Sequence, residues 1–484
     1  MEEFICKDLM ALENLATMRG ENLVELTLER VTERVEDKQE VIEELLQCSK
    51  VKKECELVVQ EFVTNYIAEL VHEELVVTDY VERNRSKQMV YLFIGTHWTV
   101  IDIQLYYVFV KRCCRKLGLD SIYSESPDFM NKVFERLAFR VMDHRKHQVT
   151  PGESWINLLN CTLEVKCDGS LVAREHRAED FFTYALPYVY AAEAECPLFH
   201  RFLDRVLPEP EMQTLLSEYI GYCFTKGLKL EKMAVFYGFG SNGKSVMLDV
   251  ITRVLGAMNV SYITLSDLTT NDEKRCLANG KLANISSESK GLLDTAVLKR
   301  MVSDEETDMR ELYIGTHMMT HIPKLFTSYN RLPSAEYTFG FFRRWLLFPF
   351  RVTIPEEEQD VDLVKKLSTE LPGILNWVLV GLKSILTRQC FTKSEGCNRA
   401  LNEYVNSSNS VMQYVAASLV VDDNAQTKLS DLYAAYAKFC QEEDLKKIGK
   451  KNFQEIIASS GVKVSYNHNA KCYNLKFKYT DGVD

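Results

Sequence analysis

MAVFYGFGSNGKSVMLDVITRVL, residues 233 to 255, is the stretch from which the fold of this chain can be read. Met233 to Tyr237 is an apolar run of strand length, and Val246 to Leu255 repeats apolar residues at helical spacing. Strand, loop, helix follows. The loop is Gly238-Phe239-Gly240-Ser241-Asn242-Gly243-Lys244-Ser245, a GxxxxGK[ST] string that occurs once in the 484 residues. Its glycines let successive backbone N–H groups turn toward one point, and the helix behind aims the positive end of its dipole there. A phosphate chain suits that field. Lys244 is expected to bridge the outer phosphates and Ser245 to ligate Mg2+, with Gly238, Gly240, Ser241, Asn242, Gly243 and Val246 around them. ATP and Mg2+ are the expected ligands.

A phosphate loop is common to kinases, GTPases and motors, so the residues downstream decide between them. KLANISSESK, 281 to 290, is a strand-like run ending in Glu288. Placed on the strand beside the loop, that carboxylate would orient the attacking water and join Ser245 at the metal. KLFTSYNRLP, 324 to 333, ends its apolar run in Asn330, read as a buried amide holding the same water or the terminal phosphate. FFRRWLLFPF, 341 to 350, sets Arg343 and Arg344 before another apolar strand. Arginines are the usual fixed donors to charge developing on a transferring phosphoryl group. Residues 231–395 alternate short strands with helices, the pattern of a three-layer α/β domain.

The rest of the chain is less specific. Leu28, Val31, Val35, Ile42 and Leu45 recur at helical spacing, so an amphipathic helix is expected from about Leu23 to Leu46. A mixed α+β region, 61–230, contains two hairpins, turning near Gly95 and at Asp168-Gly169. Helices are expected over PLFHRFLDRVL and EMQTLLSEYIGYCF, and a polar connection near 391–410. The net charge of −11 excludes a chain that coats nucleic acid along its whole length but permits a local channel. Fourteen cysteines without a CxxC pair read as reduced, mostly buried thiols rather than a zinc site. The acidic N-terminus has no apolar signal core, so a cytoplasmic protein away from membranes is expected.

Between Lys446 and Lys478 eight lysines face a single Glu455, a local charge of +7. Helices near 429–443 and 451–459 and a hairpin over 462–477 give the element order of a winged helix, expected to span 411–484. Lys450 and Lys451 at the helix start and Lys471 on the wing are candidate contacts to duplex DNA phosphates.

In their order, GFGSNGKS, KLANISSES, KLFTSYNRLP and FFRRWLLFPF, followed by IPEEEQD (354–360) and LPGILNWVLVGL (371–382), resemble a superfamily 3 helicase of the phage and plasmid primase-helicase group, relatives of the poxvirus primase-helicase. THWTVID and WINLLNCTLEV upstream resemble the region preceding that helicase domain, so the likeness covers about 85–480. It implies a AAA+ core over 231–395, a collar-like domain over 61–230 behind a helical segment 1–60, and a homo-oligomeric ring, a hexamer, with ATP between subunits. By position Glu288 takes the Walker B role, Asn330 the sensor role, and Arg344, with Arg343 second, the finger reaching a neighbour's ATP. Ser287 stands before Glu288 where many such motors carry a second acid. RELYIGTHMMTHIPK, 310 to 324, is the expected hairpin touching single-stranded DNA in the pore, its tip near Gly315 to His317 and His317 its contact.

A primase domain often precedes the helicase in that family. No cluster of paired carboxylates with histidine stands in the fewer than 90 residues before the likeness begins, so no primer synthesis is expected of this chain, and a separate primase is a candidate partner. The expected activity is that of an ATP-dependent replicative DNA helicase of a phage, plasmid or integrated element in a bacterial cytoplasm. The alternative is a DNA-binding initiator or assembly ATPase without processive unwinding.

Overall fold

A computed structural model describes residues 20–47, 52–72, 75–82, 85–119, 123, 125–141, 152–287, 293–311, 315–319, 321–330, 332, 339–408, 410–422, 424–445, 447–459, 464–467 and 470–478. The first body contains α1 (Gly20–Glu33), α2 (Gln39–Gln47) and α3 (Lys52–Val71). An antiparallel sheet follows, β1 (Leu75–Glu82), β2 (Arg85–Phe93) and β3 (Trp98–Ile101), then α4 (Ile103–Lys116) and α5 (Pro127–Arg140). One shared core explains the apolar spacing of these helices: Leu28, Val31, Val35 and Ile42 are gathered with Val63, Ile67, Tyr106 and Leu137.

The single helix expected over residues 23–46 is therefore two. The chain tightens after α1, where Val31 O accepts from Arg34 N and Thr32 O from Val35 N, and the Asp37 carboxylate then accepts from Gln39 N to start α2. Both halves bury the same face, so the apolar period runs through a break that only the backbone shows.

The second body opens with an antiparallel sheet, β4 (Ser154–Asn157), β5 (Thr162–Val165) and β6 (Leu171–Arg174), and the helices α6 (Pro197–Val206) and α7 (Pro210–Tyr222). The hairpins expected at Gly95 and at Asp168-Gly169 are present as β2–β3 and β5–β6, with both glycines at positive φ. Next come β7 (Met233–Tyr237), α8 (Lys244–Leu255), β8 (Val260–Ser261), α9 (Leu265–Thr270), α10 (Asp272–Cys276), β9 (Ala283–Ser286) and α11 (Thr295–Val302). The hairpin β10 (Asp308–Glu311) and β11 (Gly315–Met318) precedes β12 (Lys324–Tyr329), α12 (Phe339–Phe342) and β13 (Trp345–Pro349). The helices α13 (Leu363–Ser368), α14 (Leu371–Arg388) and α15 (Glu395–Ser408) complete this body.

Its centre is a five-stranded sheet in the order β13-β7-β12-β9-β8, with every pairing parallel. Strand periodicity divides its side chains between two apolar clusters. Ala234, Phe236, Phe326 and Phe348 pack with residues of α6, α7, α8 and α14. Met233, Val235, Leu325 and Leu347 pack with residues of α9, α11 and α15. Helices thus cover both faces, giving three layers.

The first of these clusters runs from Ile156 to Cys397, so the apolar core crosses the boundary expected near residue 230. The polar connection expected near 391–410 is largely the helix α15. Cys397, Ala400, Leu401 and Tyr404 form an i, i+3, i+4, i+7 stripe against the sheet, concealed in the sequence by the polar residues between them.

The last body has its own core, with Val411, Tyr414, Leu432, Tyr436, Phe453 and Tyr473. Its elements are α16 (Ser410–Ser418), β14 (Leu419–Val421), β15 (Thr427–Lys428), α17 (Leu429–Glu442), α18 (Lys450–Ser459), β16 (Val464–Asn467), β17 (Ala470–Tyr473) and β18 (Leu475–Phe477). The expected succession of helix, helix and hairpin is there. Two pairings were not anticipated: β15 joins β17 to make a three-stranded sheet, and β14 pairs with β18. Among the described residues no helix is long and apolar enough to cross a membrane, and the described cysteines are free thiols, most of them buried.

The first two bodies meet around the β2–β3 turn. Trp98 Nε1 donates to Ala178 O at 2.8 Å, and Asn157 Nδ2 donates to Thr96 O at 2.9 Å. His97 sits at this seam, its pKa pushed down to about 4 by burial and then by the neighbouring His176, which is itself lowered mainly by burial. A histidine whose folded pKa lies below its unfolded value near 6.5 costs no stability above that pH. Below it the unfolded chain binds the proton first, so stability falls until the folded pKa is reached. Lowering the pH from 7 to 5 is expected to cost about 2 kcal/mol through His97. Thermal unfolding of the His97→Gln variant should lose that pH dependence, and an unchanged slope would exclude His97 as its source.

Candidate functional site

The loop after β7 has the backbone that its glycines permit. Gly240 and Gly243 stand at φ 106° and 85°, and Ser241, which has no glycine's freedom, is held at φ 46°. Two bonds from the chain beyond β13 hold the loop in this form: Ile354 N donates to Ser241 O at 2.7 Å, and Asn242 Nδ2 to Phe350 O at 3.2 Å. Lys244 begins α8, is buried, and its Nζ donates to Gly238 O at 2.5 Å and to Asn242 Oδ1 at 3.1 Å. The ammonium therefore lies folded across the loop from which a phosphate would draw it.

A cavity of about 740 Å3 opens in front of this loop. That is within the size range of small-ligand sites. Lys244, Ser245 and Val246 form its floor together with Ser241 to Gly243. Ser287, Ser328 and Asn330, at the ends of β9 and β12, form one side. Helix α6 and the segment 354–363 form the others. Sequence reasoning brought Lys244, Ser245 and Asn330 to one place. It missed Arg201, Arg205 and Glu358, because the Arg-x-x-x-Arg spacing on α6 gives no sign of which distant loop that helix will face.

Two expectations about the strands change. β9 does not lie beside β7, because β12 stands between them and pairs with both. Asn330 is thus on the strand next to the loop, and it is exposed in the cavity rather than buried. Glu288 lies outside the described residues, one position beyond Ser287.

Arg343 and Arg344 stand at the opposite end of the sheet from the loop. Met233 N, at the start of β7, donates to Arg344 O at 2.8 Å, whereas the loop follows the end of β7 about 15 Å away along the strand. Neither guanidinium shares the cavity of its own chain. Arg344 is the more enclosed, its side chain 13% exposed and its Nη2 donating to Ser303 Oγ at 3.2 Å. Arg343 is 54% exposed and pairs with Glu231 at 3.1 Å. Lys232 joins the group by donating to Arg343 O, and burial followed by the two arginines lowers its pKa.

His317 lies within β11, opposite Met309, not at a hairpin tip. The connection 312–314 lies outside the described residues. In the last body Lys450 and Lys451 are exposed in the first turn of α18, with Lys447, Lys476 and Lys478 also exposed. Lys471 is half-buried on β17, opposite Tyr466. Lys446 and Lys463 lie outside the described residues.

Residues 236–344, which contain the loop and both arginines, match the model of a family described as "Family of unknown function (DUF5906)". Residues 58–208 match the family described as "D5 N terminal like". The chain is also similar to a protein of African swine fever virus whose name is "Putative primase", with 27% identity over 119 residues in isolates from Namibia and Kenya. That segment is 23% of this chain and 12% of the viral protein, so the chain spans about an eighth of the length of the curated relatives it matches. Among solved structures, the apo C-terminal region of NrS-1 overlays with a TM-score of 0.46 at 11% identity, over 85% of this chain and 98% of that one. A second apo structure of that region gives 0.45 at 10% identity, over 86% and 99%.

Proposed function

We propose that this chain is an ATP-driven, ring-forming DNA helicase of viral or mobile-element replication. The observation that carries the reading is the division of charge between the two ends of the sheet. One end holds Lys244, Ser245 and Asn330 around a cavity fit for a triphosphate, and the other holds Lys232, Arg343 and Arg344, which cannot reach it within one chain. A ring brings the second end of one subunit to the first end of the next, and a head-to-tail contact of this kind generates a ring when its rotation closes. The strand order, with β12 between β7 and β9, supports the reading as an AAA+ core. The similarity to a viral protein named a primase points to replication.

In this reading Ser245 and Glu288 hold Mg2+, which supplies charge neutralisation at the phosphates, and Asn330 orients the attacking water. Arg343 takes the finger role in preference to Arg344, because it is exposed while Arg344 is enclosed and bonded to Ser303. The β10–β11 hairpin faces DNA, with His317 part of its strand. The last body acts as a winged helix whose α18 lays Lys450 and Lys451 on duplex phosphates, with Lys471 on the wing.

The test is strand displacement on forked DNA with ATP. Wild type should unwind; Lys244→Ala and Arg343→Ala should each be inactive. An equimolar mixture of the two should recover about a quarter of the wild-type ATPase rate, since each site needs one intact residue from each of two neighbours. No recovery from folded, oligomeric mixtures excludes action between subunits. ATPase activity without any displacement favours an initiator or assembly ATPase. Removing 411–484 should weaken duplex binding and flatten its salt dependence, and unchanged affinity would remove DNA from the role of that body.

A further inference from the structure

Helix α6 is built against the loop more firmly than a passing neighbour. Pro197 starts it, and the Glu370 carboxylate caps it by accepting from Leu198 N at 3.0 Å and Phe199 N at 2.9 Å. At its other end Phe202 and Val206 close on the loop: a Cβ placed on Gly243 would lie 2.8 Å from Val206 and 3.0 Å from Phe202. With both ends held, the helix presents Leu198, Arg201, Phe202 and Arg205 as one stripe to the cavity.

Two guanidiniums one turn apart thus face the cavity that holds Lys244. Their partners differ. Arg205 pairs with Glu358 on the segment 354–363, while among the described residues no carboxylate pairs with Arg201. Glu358, Gln359 and Asp360 border the same cavity, so acidic groups stand beside the basic ones where a polyphosphate would bind.

We propose that α6 contributes a second cationic contact to the nucleotide within the same subunit. Arg201 binds the polyphosphate directly, and Arg205 exchanges Glu358 for it when a triphosphate enters. Charge-assisted bonds from a guanidinium to phosphate are short, directional and stronger than neutral ones. The exchange makes Glu358 a competitor for the site: the same carboxylate that neutralises Arg205 opposes triphosphate binding. This inference rests on the nucleotide-site reading above and adds residues that the loop motif does not contain.

The test measures ATP, ADP and AMP affinity and the steady-state ATP kinetics of the full chain. Arg201→Ala should raise the ATP KM about tenfold while kcat stays within about twofold. Its effect on AMP should be smaller than on ATP, and Arg201→Lys should restore part of the loss. Glu358→Gln should act in the opposite direction, tightening ATP about threefold, a sign that a merely structural role would not produce. An ATP affinity unchanged in Arg201→Ala, or weakened in Glu358→Gln, overturns the proposal. The Glu358 variant keeps it testable should Arg201→Ala fail to fold. Wild-type protein that binds none of the three nucleotides defeats the underlying site reading instead; binding lost in Lys244→Ala but retained in Arg201→Ala defeats the role of α6 alone.

Discussion

Lys244→Ala is expected to lower ATP turnover by about 10^2 to 10^3-fold or more, the usual loss when one preorganised donor to a reacting phosphoryl or acyl group is removed. In the structure the ammonium is buried, and it bonds to Gly238 O and Asn242 Oδ1. Those bonds keep it within the cavity without fixing it to a carboxylate of the loop. Its loss should weaken the fold by about 1 kcal/mol, because Gly238 O and Asn242 Oδ1 are neutral acceptors at the edge of the cavity. Activity and stability therefore separate: phosphate release collapses while the thermal midpoint moves little. Lys244→Arg should not rescue, since a planar fork cannot take the place of a compact ammonium in that loop. Turnover within tenfold of wild type would remove the loop from catalysis.

Glu218→Ala is expected to destabilise the second body by about 2–4 kcal/mol, the cost of taking a buried carboxylate away from several donors, of which Arg388, 43% exposed, can turn to water. Glu218 is fully buried on α7, where its carboxylate accepts from Arg388, Ser384 Oγ, Thr392 N and Thr392 Oγ1. It ties α7 to α14 and to the chain that leaves α14. The two helices touch so closely that a Cβ on Gly381 would overlap the Ser217 backbone, so neither can move to refill the space. α7 in turn supports the sheet, since Tyr219 donates its hydroxyl to Leu325 O at 2.9 Å. Glu218→Gln keeps acceptor and volume and should cost less, about 1–2 kcal/mol. Urea unfolding reads both, and a loss below about 1 kcal/mol for the alanine variant would show that Arg388 and Thr392 find other partners in water.

The legible parts of the fold were those set by short-range chemistry. A glycine-rich loop between an apolar strand and an amphipathic helix can be read residue by residue, because its positive φ values and its helix dipole depend on a dozen neighbours. The Asp168-Gly169 hairpin is legible for the same reason. The break between α1 and α2 was not, since both helices bury one face and the period crosses the gap. Nor was α15, whose apolar stripe is four residues among polar ones.

The site divides in the same way. Lys244, Ser245 and Asn330 could be proposed from their own motifs, and the cavity contains all three. Their arrangement could not. That β12 rather than β9 lies against the loop strand, that Arg343 and Arg344 stand at the far end of the sheet, and that α6 brings Arg201 and Arg205 over the loop are matters of which surfaces bury one another. Local backbone preferences operate over a few residues and leave a mark in the order of amino acids. Strand order and helix docking are selected by apolar burial between segments far apart in the chain, where many sequences with the same periodicity would satisfy several arrangements equally well. Only the folded core, with Phe236, Phe326 and Phe348 gathered under one layer of helices, selects among them.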